Sequence, residues 1–331
     1  MLFRSRRTNH YLPSTNNDLS ALLVNDVVEG GSDGGSSDYG RTAISSVAGV
    51  SFFLVHESGH TLGGLGDEYT PAYPGFPNVE EPNTTTNTAF TNIQWKAWIA
   101  TNTPLPTPLT GYQYTVGLFQ GAHYNPSGWY RPYYDCCMNT FSPVFCPVCQ
   151  EALVLAIYGK ARPMDSRFPP TNRISSISAQ MLTFSLSLLQ PATHSLSVQW
   201  LTNSVAVGGA TGLVFNVWPA QIGNGTNKVE ADVWDGTSMV RTDAKSVLKQ
   251  TNIWTLNLTL LQIDSLQWLT NGSFAFRVTG TVTNGVTIQT STNLTQWTAV
   301  KTNYFSGGKF YYTNANAGGF ARHFYRAATL P

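Results

Sequence analysis

The residues with the most chemical potential lie between positions 52 and 69, in Phe-Phe-Leu-Val-His-Glu-Ser-Gly-His-Thr-Leu-Gly-Gly-Leu-Gly-Asp-Glu-Tyr. His56, Glu57 and His60 form an H-E-x-x-H motif. Histidines four apart on a helix face the same side, so two imidazoles can grip one metal ion. A glutamate next to the first then lies where it can take a proton from a metal-bound water. Gly63 and Gly64 are poor helix residues and suit the left-handed turn that ends a helix. A chain turning there can return a third ligand, with Asp67 the first choice and Glu68 its competitor. Three protein ligands and one open position make a catalytic zinc site, whereas closed structural sites use four. The bland alternative is a buried helix carrying two histidines by coincidence, and the surrounding carboxylates and glycines argue against it.

Cysteine is concentrated in one stretch: Cys136, Cys137, Cys146 and Cys149. Cys146-Pro-Val-Cys149 has the spacing of half a zinc knuckle, and Cys136 and Cys137 could complete it. One or two disulfides pinning a loop is the preferred reading. Pro147 suits the first turn of a helix over 148–158.

These residues need elements to position them. Leu19 to Val24 is a short apolar run that predicts a buried strand, and a Gly/Ser-rich connection follows over 29–40. Ile44, Val47, Ala48, Phe52 and Val55 have roughly helical spacing leading into the motif. Residues 70–94 carry four prolines among Asn and Thr and read as loop. Trp95 and Trp98 suggest a short helix, and 112–119 a strand. The aromatics of 121–134, including His123, Tyr124 and Trp129, either line a cleft or fill gaps under a loop. Prolines between 159 and 172 mark a boundary. Beyond it apolar residues alternate, as in Leu196, Val198 and Trp200, Val229, Ala231 and Val233, and Trp254, Leu256, Leu258 and Leu260, which predicts strands with one buried face.

Composition bounds the rest. The 331 residues are 42% hydrophobic and only 11% charged, against roughly 25% charged in ordinary soluble domains. Asn, Thr, Ser and Gly fill the polar positions, as suits an extracellular, strand-rich protein. The net charge of +1 and the absence of a basic stripe speak against nucleic-acid binding. No stretch reaches the ~20 apolar residues of a membrane-spanning helix. Met1 to His10 lacks the apolar core of a signal peptide, so the numbering is expected to begin inside a longer precursor.

Taken together, several stretches resemble the bacterial zinc metallopeptidase family founded on an IgA-cleaving enzyme. The core of the likeness is His56-Glu57-Ser58-Gly59-His60 continuing to Leu65-Gly66-Asp67-Glu68-Tyr69. Val24-Asn25-Asp26, Glu81-Pro82-Asn83, Trp95-Lys96-Ala97-Trp98, Phe119-Gln120-Gly121-Ala122, Tyr130-Arg131-Pro132, Cys137-Met138 and Phe145-Cys146-Pro147-Val148-Cys149 extend it over 19–158. The resemblance implies an α+β, metzincin-like catalytic domain, with zinc held by His56, His60 and Asp67. It also implies Glu57 as general base and a methionine turn at Met138. The usual metzincin third ligand would fall on Gly66, one residue before Asp67. Tyr130, Arg131, Tyr133 and Tyr134 become candidates for oxyanion or substrate contacts through their nearness to Met138. The tail from Phe274 to Ala327 resembles a small β module of secreted bacterial proteins.

The expected organisation is a zinc peptidase domain over 1–165, a linker over 166–184, a β-sandwich-like module over 185–268 and a small β module over 269–331. The expected function is a secreted or cell-surface zinc endopeptidase with one catalytic Zn2+, acting on a protein or peptide. The competing reading is an inert surface- or glycan-binding protein that uses its β modules. Hydrolysis of a non-peptide bond ranks behind both.

Overall fold

The computed structural model describes residues 19–24, 31–33, 40–45, 50–140, 144–176, 181–223, 225–258, 261–280, 285–305, 308–319 and 321–329, with backbone alone described through residue 51 and at residue 176. Met1 to His10, Val47, Ala48 and Leu260, each given a role above, lie outside them. The chain forms two compact units, one made of 1–161 with 237–248 and the other of 162–236 with 249–331.

In the first unit, β1 (Leu19–Val24) pairs in parallel with β3 (Gly40–Ser45), and β2 (Gly31–Asp33) pairs antiparallel on the other side of β3. The helical pattern expected from Ile44 onward begins later. Ile44 belongs to β3 and helix α1 spans Val50–Gly63. Residues 64–118 follow with only two single-turn 3-10 helices, Phe90–Asn92 and Lys96–Trp98. The strand expected over 112–119 is not formed. Thr115 N–H closes a turn on the Tyr112 carbonyl, Tyr114 is 92% exposed, and pairing starts only at β4 (Phe119–Ala122) with β5 (Asn125–Arg131). Helix α2 (Pro147–Lys160) has proline in its first turn, as its sequence implied.

The core of this unit gathers Leu65, Ile93, Trp95, Leu118, Met138, Val148 and the thiols of Cys136, Cys146 and Cys149. Trp95 buries its ring and donates Nε1–H to the Gly117 carbonyl at 2.8 Å, while Trp98 donates to Glu151 at 2.5 Å. The same Glu151 carboxylate accepts the backbone N–H groups of Arg241 and Thr242, which ties 237–248 to the unit.

The second unit is all strand apart from two short helical turns, α3 (Pro219–Ile222) and Ala317–Gly319, among the described residues. The stretch read as linker contributes part of β6 (Met164–Phe168), β7 (Arg173–Ser176) and part of β8 (Leu182–Leu188). With β9 (Ser197–Thr202), β10 (Val205–Ala206), β11 (Val214–Val217), β12 (Gly225–Trp234) and β13 (Lys249–Leu258), these make sheets ordered β10-β9-β12-β13-β7 and β11-β8-β6. Both sheets feed one core of Phe184, Trp200, Phe215, Val229, Ala231, Trp254 and Leu256, the residues that the period-two pattern aims inward. Two further three-stranded sheets enclose Phe276, Val278, Val286, Ile288 and Phe310. They are built from β14 (Leu261–Trp268), β15 (Phe274–Gly280), β16 (Val286–Ser291), β17 (Thr298–Asn303), β18 (Lys309–Asn314) and β19 (Phe324–Thr329), in orders β14-β15-β18 and β17-β16-β19.

The α+β, metzincin-like fold class expected above is therefore corrected. The chain is mostly β, 38% strand against 15% helix, in several small sheets, and no clear α+β metzincin domain emerges among the described residues. The H-E-x-x-H pattern specifies one helix. It carries no information about the sheet around it, and the proline- and Asn-rich stretches that follow form loops.

Candidate metal centre

The site is built by the end of helix α1. Gly64, with φ +61°, caps the helix in the left-handed region, and its N–H bonds the His60 carbonyl at 3.0 Å. The turn sends Leu65 back over the helix, where its carbonyl accepts a hydrogen bond from His60 Nδ1 at 2.6 Å. His56 Nδ1 donates likewise to the Cys137 carbonyl at 2.8 Å. A carbonyl can only accept, so both Nδ1 atoms carry a proton, and in the neutral imidazoles, the form that binds a metal, both Nε2 atoms keep a lone pair.

Asn83 holds the next segment. Its amide accepts from Gly66 N–H at 2.7 Å and donates to the Gly66 carbonyl at 2.9 Å. From there Glu68 N–H bonds the Met138 carbonyl, and His123 and Tyr124 N–H groups bond the Asp67 and Tyr69 carbonyls. Successive side chains of this segment point to opposite sides, as in extended chain. Asp67 and Tyr69 face the histidines, while Glu68 faces the cysteines.

That parity puts Asp67, and not Glu68, beside the two histidines. His56 Nε2 and His60 Nε2 are 3.2 Å apart, and Asp67 Oδ1 stands 3.1 and 3.4 Å from them. Tetrahedral zinc with bonds of about 2.0–2.1 Å would set such atoms ~3.3 Å apart. Asp67 Oδ1 is buried and receives no hydrogen bond, although Oδ2 accepts one from the Tyr124 hydroxyl. Two lone pairs and a bare carboxylate oxygen turned toward one point are a cation's donor set, so these residues fit a zinc ion. Without metal, burial alone would lower the pKa of His60, but the adjoining Asp67 carboxylate outweighs it and raises it to about 9. His56 is raised for the same reasons. Burial works against the Asp67 charge too, yet the two adjoining imidazoles hold its carboxyl well below the usual range.

Glu57 is buried on the same helix, and its charge contributes to the rise at His60. Met138 is fully buried, and its sulfur lies so close to Gly59 that a Cβ there would stand 2.8 Å from it. The proposed oxyanion candidates have other surroundings. Arg131 spends Nη1 on the Gln120 and Gly121 carbonyls and Nε on that of Tyr133. Tyr130 packs on the core of the unit. Tyr133 and Tyr134 line a cavity of about 400 Å3 with Gln113, Phe145 and Gln150, and none of the histidine-site residues borders it.

Two residues given no site role from the sequence complete the centre. Tyr124 orients Asp67 through its hydroxyl, and the Tyr69 ring stacks 6.4 Å from that of His56 at 19°. Burial and the charge on Asp67 push the Tyr69 hydroxyl pKa well up, so it stays protonated. Tyr69 could have been flagged by its place beside the acidic pair. Tyr124 lies 57 residues from Asp67, and nothing local in the sequence connects them.

The disulfides expected from the cysteines are not formed. All four are free, and Cys136 Sγ and Cys149 Sγ are 3.6 Å apart, against ~2.05 Å for a bonded pair. Cys136, Cys146 and Cys149 instead converge with Glu68.

Two histidines of an H-E-x-x-H helix and the Asp67 carboxylate beyond its end thus form a group that could hold a metal ion. Residues 1–115 and 110–157, just under half of the chain, match the family model described as IgA Peptidase M64, which supports an IgA-peptidase-like family for this part of the chain. The matched family is one of peptidases. No functionally curated protein matches the chain. Among solved structures, β-glucuronidases of Parabacteroides merdae and Bacteroides uniformis are 10% and 11% identical, each at a TM-score of 0.20. These matches cover 62% and 65% of this chain but only 28% and 29% of theirs. A chain from a chaperone–tip adhesin complex of CFA/I fimbriae is 8% identical at a TM-score of 0.18, covering 50% of this chain and 97% of its own. Likenesses at these scores carry no argument about fold or function.

Proposed function

We propose that the chain is a zinc-dependent endopeptidase whose catalytic ion is held by His56 Nε2, His60 Nε2 and Asp67 Oδ1. The observation that carries this is the ligand triangle, whose three edges of 3.1–3.4 Å are made by atoms with no other use. When bound there, zinc supplies Lewis acidity for the scissile carbonyl and lowers the pKa of water toward ~7. Glu57 accepts the proton of the attacking water and returns it to the leaving amine. The Leu65 and Cys137 carbonyls keep both imidazoles in the liganding tautomer, and Tyr124 fixes which Asp67 oxygen faces them. The substrate is a protein or peptide, and the low charge content and polar composition support a secreted or cell-surface setting. The test is Glu57→Gln. It should keep wild-type zinc content and lose casein hydrolysis by at least about 100-fold, the lower end for a positioned acid–base group. Hydrolysis surviving in the variant would remove Glu57 from the mechanism, and zinc-free wild-type protein with full activity would remove the metal.

A further inference from the structure

Glu68 is wholly buried, and its Oε2 has no hydrogen-bond partner. Its Oε1 accepts from Asn83 Nδ2 at 2.8 Å and stands 3.5 Å from Cys149 Sγ. The nearby Arg131 charge favours the ionised carboxyl, but burial outweighs it, and carboxylates in the core are normally paired or bound to metal. Around it are three thiols from two elements: Cys136 from the turn after β5, and Cys146 and Cys149 from the start of α2. One ligand atom from each of the four residues lies within 4.8 Å of every other.

We propose that Glu68, Cys136, Cys146 and Cys149 bind a second zinc ion, distinct from the one between His56, His60 and Asp67. Zinc bonds of about 2.3 Å to sulfur and 2.0 Å to oxygen set tetrahedral edges of ~3.8 Å between sulfurs and ~3.5 Å between sulfur and oxygen. The observed edges are 3.6 Å for Cys136–Cys149 and 3.5 Å for Cys149–Glu68. A disulfide between Cys136 and Cys149 would use two of the four groups and leave the carboxylate unanswered. Cys146 sits at the N-cap of α2, where Ser, Thr, Asp or Asn would ordinarily bond the helix, and its side chain makes no capping bond. Its backbone N–H instead donates to Cys136 Sγ at 3.2 Å, an outer contact of the kind that orients a metal-bound thiolate.

Four protein ligands leave no open position, so this ion is structural. It staples the segment after α1, the turn at 136–138 and the start of α2. These parts also supply Asp67 and the Cys137 carbonyl that holds His56, so the staple fixes the scaffold of the histidine site.

The test is metal content of the full chain with a cobalt spectrum and a thiol count. Zinc is expected at two per chain in the wild type and one per chain in His56→Ala/His60→Ala. Cobalt exchanged into the wild type should give a near-ultraviolet thiolate-to-metal charge-transfer band, which the sulfur-free histidine site cannot produce, so no cysteine variant has to fold. Denatured protein should titrate four thiols. One zinc per chain with no such band would overturn the proposal. So would two thiols in place of four, which is a disulfide, or iron in place of zinc. None of these outcomes bears on Glu57, so the peptidase reading and this one fail separately.

Discussion

Tyr124→Phe removes one hydroxyl and leaves the ring, so its contacts with Tyr69 at 5.2 Å and Phe76 at 4.5 Å remain. What is lost is the hydrogen bond to Asp67 Oδ2, the contact that turns Oδ1 toward the histidines. A hydrogen bond to a charged group contributes about 1.5–3 kcal/mol, which at 1.4 kcal/mol per factor of ten is about 10- to 100-fold in zinc affinity. Loss of an outer partner of a metal ligand costs a similar factor elsewhere. The assay is competition for zinc with a chromophoric chelator, in parallel with Tyr73→Phe. Tyr73 packs its ring 5.5 Å from that of Tyr124 and is 59% exposed. The account predicts weakened binding in Tyr124→Phe and wild-type affinity in Tyr73→Phe. Affinity within twofold of wild type for Tyr124→Phe would refute the claim that this hydroxyl orients the ligand.

Other substitutions probe the scaffold. Asn83→Ala strips partners from both backbone groups of Gly66 and from Glu68 Oε1, and at about 1–3 kcal/mol per orphaned buried group it should lower the midpoint of chemical denaturation steeply. An unchanged midpoint would mean water replaces the amide. Gly59→Val pushes side-chain carbon into Met138 Sδ and the Phe145 ring, and should cost about 1–3 kcal/mol despite valine's better helix propensity. A melting temperature at or above wild type would show that the sulfur and ring move aside freely. The metal-free chain should also lose stability with rising pH. His60 has a folded pKa of about 9 against ~6.5 unfolded, so its contribution is complete below pH ~6.5 and disappears as pH passes through 9. The depressed Asp67 contributes above pH ~4, while burial raises the Glu68 carboxyl, whose share is lost as pH climbs above ~4.5, so melting temperature should begin to fall there and keep falling through pH 9. Zinc should flatten the fall, because it binds neutral imidazole. A level metal-free curve between pH 6.5 and 9 would contradict the pairing.

The sequence was most legible where chemistry is local. The four-residue spacing of His56 and His60 and the glycines after them specified a helix, its end and one shared face for both imidazoles, and α1 ends at Gly63 with Gly64 turned as expected. Period-two runs such as Val229, Ala231 and Val233 named buried residues of β12, because one face of a strand must be apolar. Less was legible where long-range contacts decide. Asp67 and Glu68 are chemically alike and adjacent, and only the hydrogen bonds to Asn83, Met138 and His123 fix which of them faces the histidines. The cysteine spacing left metal open while favouring disulfides, and Glu68, more than sixty residues upstream, was invisible as a neighbour of the thiols. The α+β expectation failed because it extended a helix motif to a fold, while the chain around that helix is short strands and loop.

The most direct test of the central claim is an anomalous difference map at the zinc edge from crystals of the protein grown with zinc. The account predicts a peak within bonding distance, about 2.0–2.2 Å, of His56 Nε2, His60 Nε2 and Asp67 Oδ1 together. A map with no peak among these three atoms, or with the ion on the histidines while Asp67 turns away, would contradict it.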